Sequence, residues 1–143
     1  MNIENSMTLV IPSKSCNESF VRSAVACFVA QLDPTLEELS DIKTSVSEAV
    51  TNSIVHGYPN ELGMITVKCR LLKENVVDIV VKDKGVGIED VEKAKVPMYT
   101  TGGADRSGMG FTIMESFMTS FRVVSKPGKG TTVHMSRRLQ RRK

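Results

Sequence analysis

Residues 47–58, Ser47-Glu48-Ala49-Val50-Thr51-Asn52-Ser53-Ile54-Val55-His56-Gly57-Tyr58, decide how the chain is read. Ala49, Val50 and Ile54 continue an apolar stripe that begins at Leu36 and runs through Leu39, Ile42 and Val46, at helical spacings of three and four. Thr35 followed by Glu37 and Glu38 starts this helix, and Gly57 ends it. Glu48, Asn52 and His56 are four residues apart, a spacing that stacks side chains on one helical face. Such a row is either a solvated polar face or a place where a carboxamide oxygen meets Mg2+ beside a proton-accepting carboxylate.

Upstream, residues 6–12 read as a strand closed by Pro12, and Ser15 or Asn17 can cap a helix from Glu18 to about Leu32, which Pro34 breaks. Downstream the period changes from 3.6 to 2. Residues 64–71 and 77–81 alternate apolar with polar on either side of Glu74-Asn75 and predict an antiparallel hairpin. The stretch 83–110 then holds six of the ten glycines, with only 89–95 helical in pattern. A loop this long in a small chain is usually functional. Residues 111–118 resume a helix, and 120–125 and 131–135 form a second hairpin about Pro127-Gly128. Helices first, then strands, a loop, a helix and strands predict an α+β fold: a two-layer sandwich of a mixed, mostly antiparallel sheet with helices on one face. Neither strict βαβ alternation nor a GxxxxGK[ST] phosphate loop is present.

At 143 residues the chain fits one domain, expected over residues 1–136, with a basic tail at 137–143. That tail holds five of the 19 basic residues and no acidic one; without it the formal charge of +3 becomes −2. Cations confined to a tail, rather than spread over a face, argue against a nucleic-acid-binding body. Cys16, Cys27 and Cys69 are odd in number and match no metal spacing, as expected of reduced thiols in a cytoplasmic protein. No signal peptide and no membrane span are expected.

Three glycine-bearing segments join Glu48 and Asn52 as candidates. Asp83-Lys84-Gly85-Val86-Gly87 follows an apolar strand; a strand-terminal Asp can accept from an exocyclic amine such as that of adenine, and glycines let a flat ring approach the backbone. The same residues also make an ordinary turn. Arg106-Ser107-Gly108-Met109-Gly110-Phe111 opens a helix, where backbone N–H groups and the helix dipole favour phosphate; a Gly-rich cap is the plainer reading. Gly128-Lys129-Gly130-Thr131-Thr132 is an ordinary turn in isolation, though the Thr132 hydroxyl can reach a base.

Taken in order, these segments resemble the N box and glycine boxes of the gyrase, Hsp90, histidine-kinase and MutL superfamily of ATP-binding domains, over about residues 8–136. The segments 17–20, 47–58 and 106–115 are more narrowly similar to the anti-sigma F factor family of spore-forming bacteria. The resemblance implies a Bergerat-type fold, with ATP between helices and sheet under a lid at about 96–109. It also implies a homodimer that binds the sporulation sigma factor F and, as a serine kinase, phosphorylates an anti-anti-sigma factor. Carried onto this sequence, it makes Asn52 the Mg2+ ligand and Glu48 the general base. It sets Asp83 against the adenine amine with Gly85, Gly87 and Thr132 nearby, and Gly108 and Gly110 around the phosphates. Thr100, Thr101 and Arg106 become lid candidates for the γ-phosphate, and Arg22 a contact shared by both protein partners. A histidine-kinase catalytic domain, or a nucleotide-gated binding module without transfer activity, are the rival readings.

Overall fold

A computed structural model of the chain describes residues 2–88 and 110–140. Five strands, β1 (Ile3–Pro12), β2 (Met64–Leu72), β3 (Val76–Asp83), β4 (Ser120–Lys126) and β5 (Gly130–Arg138), form one sheet in the order β1-β2-β3-β5-β4. All four pairings are antiparallel. Among the described residues three α-helices, α1 (Cys16–Val29), α2 (Leu36–Asn52) and α3 (Gly110–Phe117), accompany the sheet. The α+β sandwich expected from the sequence is the observed architecture. The expected helix at 89–95 and lid at 96–109 lie outside the described residues.

Alternation along the strands decides which face is buried. Ile65, Val67, Cys69 and Leu71 of β2 share a side with Val77, Ile79 and Val81 of β3 and with Val133 and Met135 of β5. These side chains are at most 3% exposed and pack with Val21, Val25 and Val29 of α1, Ile42, Val46 and Val50 of α2, and Phe111 and Met114 of α3. Each such burial contributes about 1.5–3 kcal/mol. Burial also pushes the Cys69 thiol up to about 12, which leaves it inert. The β2–β3 hairpin turns where the sequence predicts, with Glu74 and Asn75 at φ 68° and 60°.

The element ends depart from the expectations in instructive ways. Neither Ser15 nor Asn17 caps α1: the Ser15 side chain makes no cap bond, and Asn17 Nδ2 donates to Pro12 O at 3.0 Å, tying the helix to β1 instead. Thr35 does cap α2 through a capping box, its Oγ1 accepting from Glu38 N at 3.0 Å while its N donates to Glu38 Oε1 at 2.8 Å. Regular α geometry ends at Asn52, and Ser53–Gly57 form a wider π turn closed by Tyr58 N to Ser53 O at 3.1 Å.

The expected tail boundary at 137 is too early. β5 runs to Arg138, and Leu139 is 3% exposed. Arg137 Nη1 donates to Asp41 Oδ2 at 2.6 Å and to Phe117 O at 2.5 Å, and Gln140 N donates to Glu38 Oε2 at 2.7 Å. Residues 137–140 therefore tie β5 to the first half of α2, because the Arg137 guanidinium and the Gln140 amide find acceptors there rather than solvent alone.

Candidate nucleotide and phosphoryl-transfer site

Strand parity places Asp83 at the end of the buried face. It pairs with Ile65 on one side and Thr131 on the other, in the row next to Val67, Val81 and Val133, and is 3% exposed. A carboxylate there must be satisfied by donors. Gly85 N donates to Oδ1 at 2.9 Å, Thr131 N to the same oxygen at 3.2 Å, and Ser53 Oγ to Oδ2 at 2.7 Å.

Glycines let the chain close around this group. A Cβ on Gly57 would lie 3.0 Å from Asp83 Cγ, and one on Gly85 only 2.0 Å from Gly57 O. Gly87 has φ 78°, and a Cβ there would lie 2.1 Å from Lys126 O. Val86 N donates to Gly57 O at 2.9 Å, while Tyr58 Oη accepts from Lys84 N and donates to Met64 O, both at 2.8 Å. The π turn, the Gly85–Gly87 turn and the β4–β5 turn are thus locked together around one carboxylate.

Glu48 and Asn52 converge at the start of α3. A Cβ on Gly110 would stand 2.9 Å from Glu48 Oε2 and 3.2 Å from Asn52 Nδ2. A side chain at 110 would have to push these two side-chain ends aside, and the N-terminus of a helix favours anions. His56 does not join them. Past the change to π geometry it lines a separate cleft of about 1080 Å3 with Lys14, Cys16 and Val86. A strict four-residue row needs uninterrupted α-helix, and the helix widens after Asn52.

Thr132 needs correction as a neighbour of the base. It pairs with Lys82 and Val124, one step from the Asp83 row, so its side chain leaves the sheet on the opposite face. Thr131 holds the matching position: its N–H reaches Asp83 and its Oγ1 lies 2.7 Å from Ser125 Oγ. The parity of Val133 and Met135 already carried that signal. Ser53, unremarked in the sequence, is the other partner that sequence reasoning missed. Thr100, Thr101, Arg106 and Gly108 lie outside the described residues.

Arg22, on α1, pairs with Glu18 at 3.3 Å, and Ser47 Oγ donates to the same Glu18 oxygen at 2.8 Å. Arg22, Leu36, Lys43, Ser47 and Glu48 line a groove of about 370 Å3 between α1 and α2. Glu48 therefore faces α3 on one side and this groove on the other.

Residues 11–137 match the family described as the histidine kinase-like ATPase domain. The anti-sigma F factor of Caldanaerobacter subterraneus subsp. tengcongensis is 54% identical over 142 residues, 99% of each chain. The chain belongs to the anti-sigma F factor family. A second such anti-sigma F factor, from Oceanobacillus iheyensis, is 50% identical and covers 99% of this chain and 97% of its own. Among solved structures, the RsbU and RsbW domains of Rv1364c from Mycobacterium tuberculosis align with a TM-score of 0.72 at 21% identity, over 96% of this chain. This anti-sigma F family member spans 33% of that larger chain. The histidine kinase domain of the blue-light activated histidine kinase of Erythrobacter litoralis EL346 aligns at 0.58 and 18% identity, over 85% of this chain and 61% of its own. At such identities these two likenesses show the fold alone.

Proposed function

We propose that this chain is a cytoplasmic anti-sigma factor that binds and inhibits the sporulation sigma factor F and, as an ATP-dependent serine kinase, phosphorylates an anti-anti-sigma factor. One observation carries the kinase reading: Glu48 Oε2 and the Asn52 carboxamide meet at the glycine that opens α3. Nucleotide binding asks for a base anchor and phosphate donors. A carboxylate beside the phosphate end is what transfer asks for in addition, since a hydroxyl nucleophile must lose its proton.

Asp83 holds the base end, as an acceptor for the adenine amine. The α3 N-terminus supplies donors for phosphate, and Gly110 keeps the space there open. The donor set suits Mg2+: Asn52 offers a neutral hard oxygen, and the Gly110 cradle, which a Cβ would fill, leaves room for phosphate oxygens to complete the shell. When bound, the ion neutralises phosphate charge and orients the triphosphate. Glu48 accepts the proton of an incoming serine hydroxyl. That serine approaches along the α1–α2 groove, where Arg22 and the exposed Leu36 offer a charged and an apolar contact to a protein surface. The same groove serves the sigma factor, so the two partners exclude each other, and the working species is a homodimer. Among the described residues no helix is long and apolar enough to cross a membrane.

The test is incubation with γ-labelled ATP, Mg2+ and the anti-anti-sigma protein. Label recovered as phosphoserine on that protein is the expected result. Complex formation without label would make the chain a nucleotide-gated binding module instead.

A further inference from the structure

Arg137 continues the buried row of Val133 and Met135 on β5 and pairs with Val77, so strand parity turns its side chain toward the helices. Its guanidinium and the Asp41 carboxylate that it meets are only 19% and 18% exposed. An ion pair so far out of water brings little net stability, because desolvation offsets much of the attraction. What a guanidinium does supply is geometry, a rigid set of donors that holds two acceptors at once. Here Nη1 donates both to Asp41 Oδ2 on α2 and to Phe117 O at the end of α3. The last carbonyls of a helix lack partners within it, and cations are favoured there. Beside this link, Thr119 N donates to Ser136 O at 2.8 Å and Arg138 N to Thr119 Oγ1 at 2.9 Å. The C-terminal end of α3 is thus moored to β5 and, through Arg137, to α2.

We propose that Arg137 is a positioning residue for the phosphate end of the site: by fixing the far end of α3 against α2, it sets where Gly110 stands relative to Glu48 and Asn52. The inference rests on the reading of the α3 N-terminus as the phosphate-binding end. Gly110 and Phe117 are two helical turns apart on α3, and Asp41 and Glu48 are two turns apart on α2, about 10 Å in each case. The two helices therefore run antiparallel with a polar rung at each end. One rung is Phe117–Arg137–Asp41, and the other is the approach of Gly110 to Glu48 and Asn52. Between the rungs the contact is apolar, with Met114 in the same core as Ile42 and Val46. Apolar burial is non-directional and leaves register and tilt loosely set. The directional rung at Arg137 fixes them.

Without Arg137, α3 keeps its apolar face buried but is free to tilt about it. A tilt of about 5° over that length moves Gly110 by about 1 Å. A misplacement of that size costs on the order of a hundredfold in a reaction that depends on positioning. The base end at Asp83, on β3, stays where it is. Loss of Arg137 should therefore weaken what the phosphates contribute to binding and leave what the nucleoside contributes, whereas a merely structural role would weaken both alike.

The experiment is calorimetric titration of the full chain with Mg·ADP, adenosine affinity by displacement of ADP, and single-turnover transfer to the anti-anti-sigma factor. It compares wild type, Arg137→Ala, Arg137→Lys and Asp41→Asn, with circular dichroism melting as the control for folding. Arg137→Ala should lose about tenfold of the ADP-to-adenosine affinity ratio and transfer about a hundredfold more slowly, with adenosine affinity unchanged. Arg137→Lys, which keeps the charge but not the rigid donor set, should recover part of both losses. Asp41→Asn should lie between wild type and Arg137→Ala, and with Arg137→Lys it decides the matter if the alanine variant does not fold. An unchanged ADP-to-adenosine ratio in the folded variants, or an equal loss for both ligands, overturns the positioning role. The ratio decides this even where wild type transfers no phosphate, so failure of the kinase reading is told apart. A wild type that binds ADP no better than adenosine removes the phosphate end, and this inference with it.

Discussion

Gly110 Cα stands where a single added methyl group would reach to 2.9 Å of Glu48 Oε2 and 3.2 Å of Asn52 Nδ2. The neighbours are ends of side chains rather than backbone, so Gly110→Ala displaces them without breaking α3. Alanine is also the better helix former. The variant should melt within a few degrees of wild type. Its phosphoryl transfer should fall about a hundredfold, because the base and the carboxamide no longer share one place. Wild-type turnover in this variant would show that their convergence at Gly110 is not used.

Asp83→Asn puts a donor where the site offers only donors. The amide must either oppose Ser53 and the backbone amides or turn its NH2 toward the adenine amine. A buried mismatch of this kind costs about 1–3 kcal/mol. Calorimetry should show ADP affinity reduced about tenfold or more.

Arg22→Ala removes a cation from the rim of the α1–α2 groove while leaving the groove floor intact. The ion pair with Glu18 is exposed enough that its loss should cost under about 1 kcal/mol of stability. Binding of the sigma factor and of the anti-anti-sigma factor should both weaken about tenfold or more in surface-resonance assays, a cost typical of an interfacial Arg. Intact affinity for both would exclude Arg22 from the shared contact.

Glu38 couples the C-terminal segment to α2 and should make stability depend on pH. Burial raises its carboxyl, but hydrogen bonds from the backbone of Thr35 and Gln140 and the nearby Arg137 charge outweigh that and hold it below the ordinary value of 4.5. A carboxyl depressed in the folded state stabilises it while ionised. The contribution is complete above pH 4.5 and fades as pH falls through the lower folded value. Urea unfolding at pH 6 and at pH 3.5 should show a larger loss in wild type than in Glu38→Gln. Equal losses would mean that Glu38 contributes nothing to the acid limb.

Much of the fold is legible because two periods write it. The stripe Leu39–Ile42–Val46–Ala49–Val50 and the alternation Ile65–Val67–Cys69–Leu71 each match one packed surface, so α2 and β2 form where the pattern puts them, while Leu36 at the head of the expected stripe is left exposed. The site is only partly legible for a related reason. Asp83 and the Glu48–Asn52 pair are set by local spacing, whereas Ser53 reaches Asp83 across 30 residues, from the end of α2 to the end of β3, a contact that no local spacing shows. Thr131 rather than Thr132 meets Asp83 because a one-residue step in a strand exchanges faces. The expected tail failed at Arg137 because charge was counted along the chain, and the acceptors Asp41 and Phe117 O are distant in sequence.

Single-turnover transfer from γ-labelled Mg·ATP to the anti-anti-sigma factor, in wild type and in Glu48→Gln, tests the central claim most directly. With nucleotide and protein substrate both saturating, wild type should yield phosphoserine. Glu48→Gln should bind ADP as tightly and transfer about a hundred- to ten-thousandfold more slowly. Equal transfer rates, or no phosphoserine from wild type under saturation, would contradict the assignment of Glu48 as the base of a serine kinase.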